Sequence, residues 1–271
     1  EKALNIKPDY AEAYNSLGNV LNILGKVKAG VNYFEKAIEI NPDFAEAHNS
    51  LGNAFKKMKK RGKALKSFER AYDIKPSIDF ILGDILNSKM HLASWNEIEK
   101  SVYKIREKII NNEKVIDSFN LMSLIDDPAL QRRATEIRIN SDYPENPILP
   151  RINSYLKHEK IRIGYFSGDF RNHPVGYLTA ELYELHDRNH FEIHGFSIGP
   201  DTKDEVNLRI KLGVDEFHDV QSMSHKEIVM LARSLEIDIA VDLTGLTAKA
   251  RTDIFAMSAA PIQLSYIGYL G

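Results

Sequence analysis

A period of 34 residues governs the first third of the chain. Pro8, Pro42 and Pro76 recur at that spacing, as do Ala3, Ala37 and Ala71, and Ile6, Ile40 and Ile74. Aligning residues 11–44 with 45–78 superposes Ala13 on Ala47, Leu17-Gly18 on Leu51-Gly52, and Phe34 on Phe68. A period in this range cannot come from one helix or one strand. It demands a stacked supersecondary unit that buries its apolar face only against the next copy.

The pattern resembles the tetratricopeptide repeat, in which small and large apolar positions let two antiparallel helices interlock and proline ends the second. Asn15 and Asn19, repeated as Asn49 and Asn53, lie four apart and therefore share a helix face. There their amides can bond an extended peptide, which gives a candidate peptide groove; the alternative is a scaffold that only stacks. Residues 1–76 form this domain. They carry 14 Lys and Arg against 9 Asp and Glu, a net +5, while the whole chain is at −2. Much of the excess lies in Lys56, Lys57, Lys59, Lys60, Arg61 and Lys63, which reads as a solvated helix end. Without aromatic interleaving or a known module, a nucleic-acid partner is not expected.

From Ser77 the repeat decays. Phe80, Leu82 and Gly83 echo it out of register, and Trp95 stands where no repeat residue belongs. Residues 90–111 show helical spacing through Leu92, Trp95, Ile98, Val102, Ile105 and Ile109, which predicts one helix with a core stripe. Residues 77–150 are thus a helical transition region, ended by Tyr143-Pro144-Glu145-Asn146-Pro147 and Pro150, which cannot continue a helix. At 271 residues the chain has room for two domains that each bury a core.

Beyond residue 150 the period changes. Strands are predicted at 161–166, 191–198, 216–220, 237–243 and 261–267, and helices at 175–186, 204–213, 224–235 and 251–257. That alternation implies a parallel sheet with right-handed crossovers, a Rossmann-like α/β lobe over 151–271 whose ligands lie beyond the strand carboxyl ends. Those ends carry Ser167-Gly168-Asp169, Gly199-Pro200-Asp201, Asp242-Leu243-Thr244-Gly245 and Gly268. The Gly-x-Gly-x-x-Gly fingerprint is absent after the first strand, which argues against an NAD enzyme.

Taken together, the repeats and the runs GYFSGDFRNHP, DLTGLTAKAR and APIQLSYIGYLG resemble the O-linked N-acetylglucosamine transferase family, which includes the plant SPINDLY fucosyltransferases and bacterial relatives. The resemblance covers essentially the whole chain. It implies a two-lobed GT-B catalytic unit that binds a nucleotide sugar, UDP-GlcNAc first among donors, and glycosylates Ser or Thr hydroxyls with inversion. The all-α superhelix and the amino-terminal lobe are then in hand and the second lobe is not, so these residues alone are expected to be inactive. A chain that starts at Glu1 inside a repeat is likewise expected to be part of a longer protein.

By the same resemblance His173 is an active-site residue and Asp204 a second catalytic candidate. Asn207 and Thr247 with Arg251 fall on the acceptor side, and Ile267 and Gly268 against the donor sugar. Read from the residues alone, His173 is a helix-start histidine satisfied by backbone and Asp204 an N-cap. Ala248 stands where relatives carry Lys and Leu270 where the motif has Pro, and Ser16 and Ser50 occupy the place of the family's asparagine ladder. Fucosyl transfer, N-glucosylation of Asn, and a non-catalytic adaptor remain the alternatives.

No metal and no organic cofactor is expected beyond the donor. His186, His190 and His194 are spaced by four, but the first two fall at a helix end and the third in a strand, which sets a shared metal aside. Asp238 and Asp242 are separated by about 13 Å along a strand, too far for a glycosidase pair. The absence of cysteine fits a reducing, cytoplasmic setting, and no run approaches a membrane span.

Overall fold

The computed structural model describes residues 7–144, 148–150, 152–156, 158–247 and 250–269. Ala3, Ile6, Ala248 and Leu270 lie outside them. The chain forms two compact units, residues 1–138 and 139–271, dividing between Arg138 and Ile139.

In the first unit the 34-residue period is reproduced by the backbone. Helices α1 (Ala11–Ile23) and α2 (Val27–Ile40) are followed, 34 residues on, by α3 (Ala45–Lys57) and α4 (Arg61–Ile74). The Leu-Gly position has a steric cause. A methyl group on Gly18 would stand 2.6 Å from the Phe34 ring, and one on Gly52 would stand 2.6 Å from the Phe68 ring, so each glycine admits the phenylalanine of its partner helix. Phe34, Phe68, Ala37 and Ala71 are fully buried as a result. The basic cluster is partly engaged: Lys56 pairs with Asp84 at 2.5 Å and Lys63 lies over the Phe55 ring.

The period also persists where its sequence signature fades. Helices α5 (Ile81–His91) and α6 (Ile98–Ile110) continue the paired arrangement. The turns inside the three pairs each hold a left-handed residue, at Gly25, Lys59 and Ala93, again 34 apart. At the third, Ser94 N donates to Lys89 O and Ala93 N to Met90 O, a Schellman closure that ends α5. The continuous helix predicted over 90–111 is therefore broken. Leu92 and Trp95 are exposed rather than core, whereas Ile105 and Ile109 are buried as the stripe required. Helical spacing ran on across a reversal because 92, 95 and 98 satisfy it by coincidence. Gly83, the displaced glycine, receives Ile116 instead of a phenylalanine, and its N–H donates to Val115 O. The short α7 (Ser118–Met122) and α8 (Pro128–Asp142) follow.

In the second unit five strands make one parallel sheet: β1 (Ile161–Ser167), β2 (Phe191–Ser197), β3 (Glu216–Asp219), β4 (Ile239–Asp242) and β5 (Ile262–Ser265). Their order is β3-β2-β1-β4-β5. Helices α9 (Pro174–Leu185) and α10 (Glu205–Gly213) cover one face, with Ala180, Tyr183, Val206 and Ile210 packed with Ile163, Tyr165 and Ile193. Helix α11 (His225–Ser234) and the single turn α12 (Asp253–Ala256) cover the other, burying Phe166, Phe196 and Ala240. Every predicted element of this lobe is present within a few residues of its expected bounds. The direction of winding reverses between β1 and β4, and in a doubly wound sheet the ligand crevice opens at the strand carboxyl ends there.

Candidate functional site

Four strand ends meet at that switch point. Main-chain bonds set the rim: Leu243 N donates to Phe166 O, Ile198 N to Ser167 O and Tyr266 N to Asp242 O. Gly199 packs against Gly168, whose carbonyl oxygen would lie 1.9 Å from a methyl group there. The loop ends after β1, β2, β4 and β5 thus converge as the strand pattern required. A cleft of about 230 Å³ opens among Asp242, Gly245, Leu246, Thr252, Phe255, Ser265 and Tyr269.

His173 is the N-cap of α9, with extended backbone and proline at the first helical position. Its Nδ1 accepts from Val175 N at 3.3 Å and lies 3.6 Å from Asp169 Oδ2. A neutral imidazole that accepts through Nδ1 carries its proton on Nε2. In that neutral form His173 caps the helix through Nδ1 and carries its N–H on Nε2. Asp169, part of the same motif, also binds Arg171 at 2.7 Å, which aligns carboxylate, guanidinium and imidazole along one loop. Nothing in the sequence marks these two partners, because a charged pair two residues apart in a loop has no periodic signature.

Asp204 is the N-cap of α10 and reaches further than a cap requires. Oδ1 accepts from Asn207 N at 2.9 Å, while Oδ2 accepts from Asn172 N at 3.0 Å and from Thr202 Oγ1 at 2.5 Å. Partial burial works against its charge, but the Thr202 hydroxyl and these backbone amides prevail and hold its carboxyl below the usual aspartate range. With its oxygens so occupied, Asp204 clamps the loop that presents His173. Asn207 acts from beneath. It is fully buried, and Nδ2 donates to Phe170 O at 2.7 Å, so it supports the same loop from the interior.

The residues assigned to the acceptor side divide. Thr247 is exposed, its hydroxyl on Thr244 O at 3.1 Å. Arg251 instead directs its guanidinium to Val220 O and Met223 O, and desolvation lowers its pKa, so it pins the turn after β3.

In the segment that the resemblance assigns to the donor sugar, Gly268 N bonds Tyr266 O at 2.9 Å across Ile267, which holds φ +70. This is a γ-turn with a β-branched residue in a left-handed conformation, a strained arrangement. The expected reason for Gly268, close approach of a sugar, is replaced by a nearer one. A methyl group there would lie 2.5 Å from the Thr244 carbonyl carbon and 2.7 Å from Gly245 N, so the chain's own backbone requires the glycine. Gly245, at φ +60, meets Tyr269 O in the same way and bridges to Tyr269.

Asp242 is a rim residue, as its place at a strand carboxyl end implies, and it forms no pair with Asp238. Asp238 immediately precedes β4 and accepts from Arg162 N, while Asp242 ends the strand. Burial pushes the Asp242 carboxyl above its ordinary range, against the pull of the Thr244 and Gly245 amides on Oδ1.

In the repeat unit Asn15 and Asn49 are half-buried, and the side-chain oxygen of each is enclosed without a hydrogen-bond partner. Asn19 is exposed, Asn53 is half-buried, and Ser16 and Ser50 are accessible beside them. The three spaced histidines do not meet: His186 bonds Tyr165, His190 bonds Asp187, and His194 faces β3.

Comparison with known proteins agrees with this architecture. Residues 145–271 match glycosyl transferase family 41, and residues 18–59 and 45–78 match tetratricopeptide repeats. A probable UDP-N-acetylglucosamine–peptide N-acetylglucosaminyltransferase, SEC, of Arabidopsis thaliana is 37% identical over 42% of this chain. A UDP-N-acetylglucosamine–peptide N-acetylglucosaminyltransferase of Caenorhabditis elegans is 34% identical over 41%. The matched segments are 12% and 10% of those proteins. A solved Thermobaculum terrenum O-GlcNAc transferase variant superposes with TM-score 0.59 and 25% identity over 95% of this chain and 50% of its own. A parallel sheet whose switch point is built from these motifs, preceded by helix pairs at a 34-residue period, is the architecture expected where residues 145–271 are similar to glycosyl transferase family 41 and residues 18–78 to tetratricopeptide repeats.

Proposed function

We propose that the protein carrying this chain transfers N-acetylglucosamine from UDP-GlcNAc to Ser or Thr hydroxyls of proteins, and that residues 151–271 supply one wall of the transfer site. The observation that carries this reading is the switch-point rim, where the His173 loop, the Asp242 turn and the Gly268 turn lie side by side. An inverting transfer needs an oriented acceptor hydroxyl and dipoles around the departing diphosphate. His173 Nε2–H is a donor aimed from a rigid helix start, and Asp204 and Asn207 hold that start in place. Nucleotide sugar is the only cofactor-like partner this chemistry requires, and it proceeds without a metal.

The repeats would bring the protein substrate. Asn19 and Asn53 are accessible at the same place in successive repeats, where their amides would bond the backbone of an extended peptide. A cytoplasmic location fits the cysteine-free chain, and among the described residues no helix is long and apolar enough to cross a membrane.

The test is transfer of labelled sugar from UDP-GlcNAc to a protein acceptor panel by the full-length protein. His173→Ala should lower the rate at least about 100-fold, within the range for removal of one positioned hydrogen-bond donor. No transfer from any UDP- or GDP-sugar would refute the reading.

A further inference from the structure

Along the sheet's β3 edge, β2 and β3 pair in a register that sets His194 opposite Glu216 and Phe196 opposite His218. Side chains alternate along a strand, so Glu192, His194, Glu216 and His218 share one face. Three of their atoms converge. His194 Nδ1 is 3.2 Å from His218 Nε2, His218 Nε2 is 3.5 Å from Glu216 Oε2, and His194 Nδ1 is 3.8 Å from the same oxygen. The imidazole planes are stacked within 8°.

These separations have a specific size. Tetrahedral zinc with bonds of about 2.0–2.1 Å holds neighbouring ligand atoms about 3.3–3.4 Å apart, and the observed triangle brackets that value. The other ring nitrogen of His194, Nε2, lies 3.1 Å from Glu192 Oε1. A carboxylate behind a ligating histidine fixes the proton on the far nitrogen and leaves the near lone pair for a metal. Glu192 is itself held by Arg162 at 3.3 Å. His194 is 1% exposed, whereas the Glu216 side chain is 52% exposed, so the inner ligand is preorganised and a solvent water can complete the fourth position. Two imidazoles with one carboxylate select a divalent transition ion over calcium or magnesium, which take oxygen ligands. Among the described residues no other group of three offers such a set.

We propose that His194, His218 and Glu216 form a binding site for a zinc-class divalent cation that staples the edge strand β3 to β2. The cation is structural. β3 lies two strands from β1, whose carboxyl end carries the His173 loop, and the assignment stands independently of the transfer reaction.

Untagged protein of residues 1–271 is dialysed against Zn²⁺, and bound metal is counted. One equivalent is expected, with a higher unfolding midpoint in Zn²⁺ than in chelator. Co²⁺ in its place should give the intense visible bands of a tetrahedral site. His218→Ala should abolish both signatures, and Glu192→Gln should weaken affinity by about 10–100-fold. If His218→Ala does not fold, Glu216→Gln, at an exposed position, carries the same test. Failure of the native chain to bind stoichiometric Zn²⁺ would overturn the proposal, as would binding that survives His218→Ala or Glu216→Gln undiminished.

Discussion

Replacing Gly268 by alanine separates two explanations of the Tyr-Ile-Gly turn. If the glycine exists only to admit a sugar, the free protein should tolerate a methyl group. The geometry says otherwise, because the three nearest atoms, at 2.5, 2.6 and 2.7 Å, all belong to the Thr244–Gly245 backbone and cannot rotate away. Overpacking of this kind costs about 1–3 kcal/mol. Separating the segments also sacrifices the Leu246 N–H bond to Tyr269 O, 2.8 Å long, for about 1 kcal/mol more. The sum is about 2–4 kcal/mol. Expressed as local opening, that lowers hydrogen-exchange protection by about 30- to 700-fold. Exchange measured by mass spectrometry over residues 242–247 and 262–269 reads it directly. Gly168→Ala is the control on the same rim, since its nearest atom would be 3.9 Å away and its backbone is not left-handed. Equal protection in the two variants would show that the turn relaxes around the methyl group, and the packing account of Gly268 would fall.

Two further outcomes follow from the same reasoning. The Asp242 carboxyl is raised by burial, so the native state holds its proton more tightly than the unfolded chain, and stability is lost as pH rises from about 4 through the raised value. Asp242→Asn keeps an oxygen for the Thr244 and Gly245 amides and removes that penalty; urea denaturation should show a more stable variant at pH 7 and no difference near pH 3, and a less stable variant at pH 7 would contradict the assignment. In the repeats, Gly52→Ala forces a methyl group against the Phe68 ring and should destabilise by about 1–2 kcal/mol even after the helix-propensity gain, while Gly62→Ala, with open space around it, should be neutral or stabilising by up to about 1 kcal/mol. Thermal unfolding of the pair checks it.

What could be read from the chain in advance was whatever repeats or alternates locally. Asp204 and Ser224 were legible as helix starts, and Ser224 indeed forms a capping box with Glu227, because a cap bonds an amide two or three residues away. Strand ends at Ser167 and Asp242 were legible because apolar runs stop there. The broken helix at Leu92–Glu97 was not, since a spacing of three fits a helix whether or not the backbone reverses between the residues. The joint hold of Asp204 on Asn172, and of Asn207 on Phe170, spans more than 30 residues and leaves no mark in either segment.

By itself, then, the sequence determined the first two helix pairs and the parallel α/β lobe, because hydrophobic period and turn chemistry act within a few residues. Tertiary structure decided what the polar residues do: Arg251 became a pin for the β3 turn, Gly268 a contact between two backbone segments, and His194 a partner of Glu216 and His218. Those roles depend on strand register and loop packing between distant segments, and register is settled only when both strands bury the same face of one sheet.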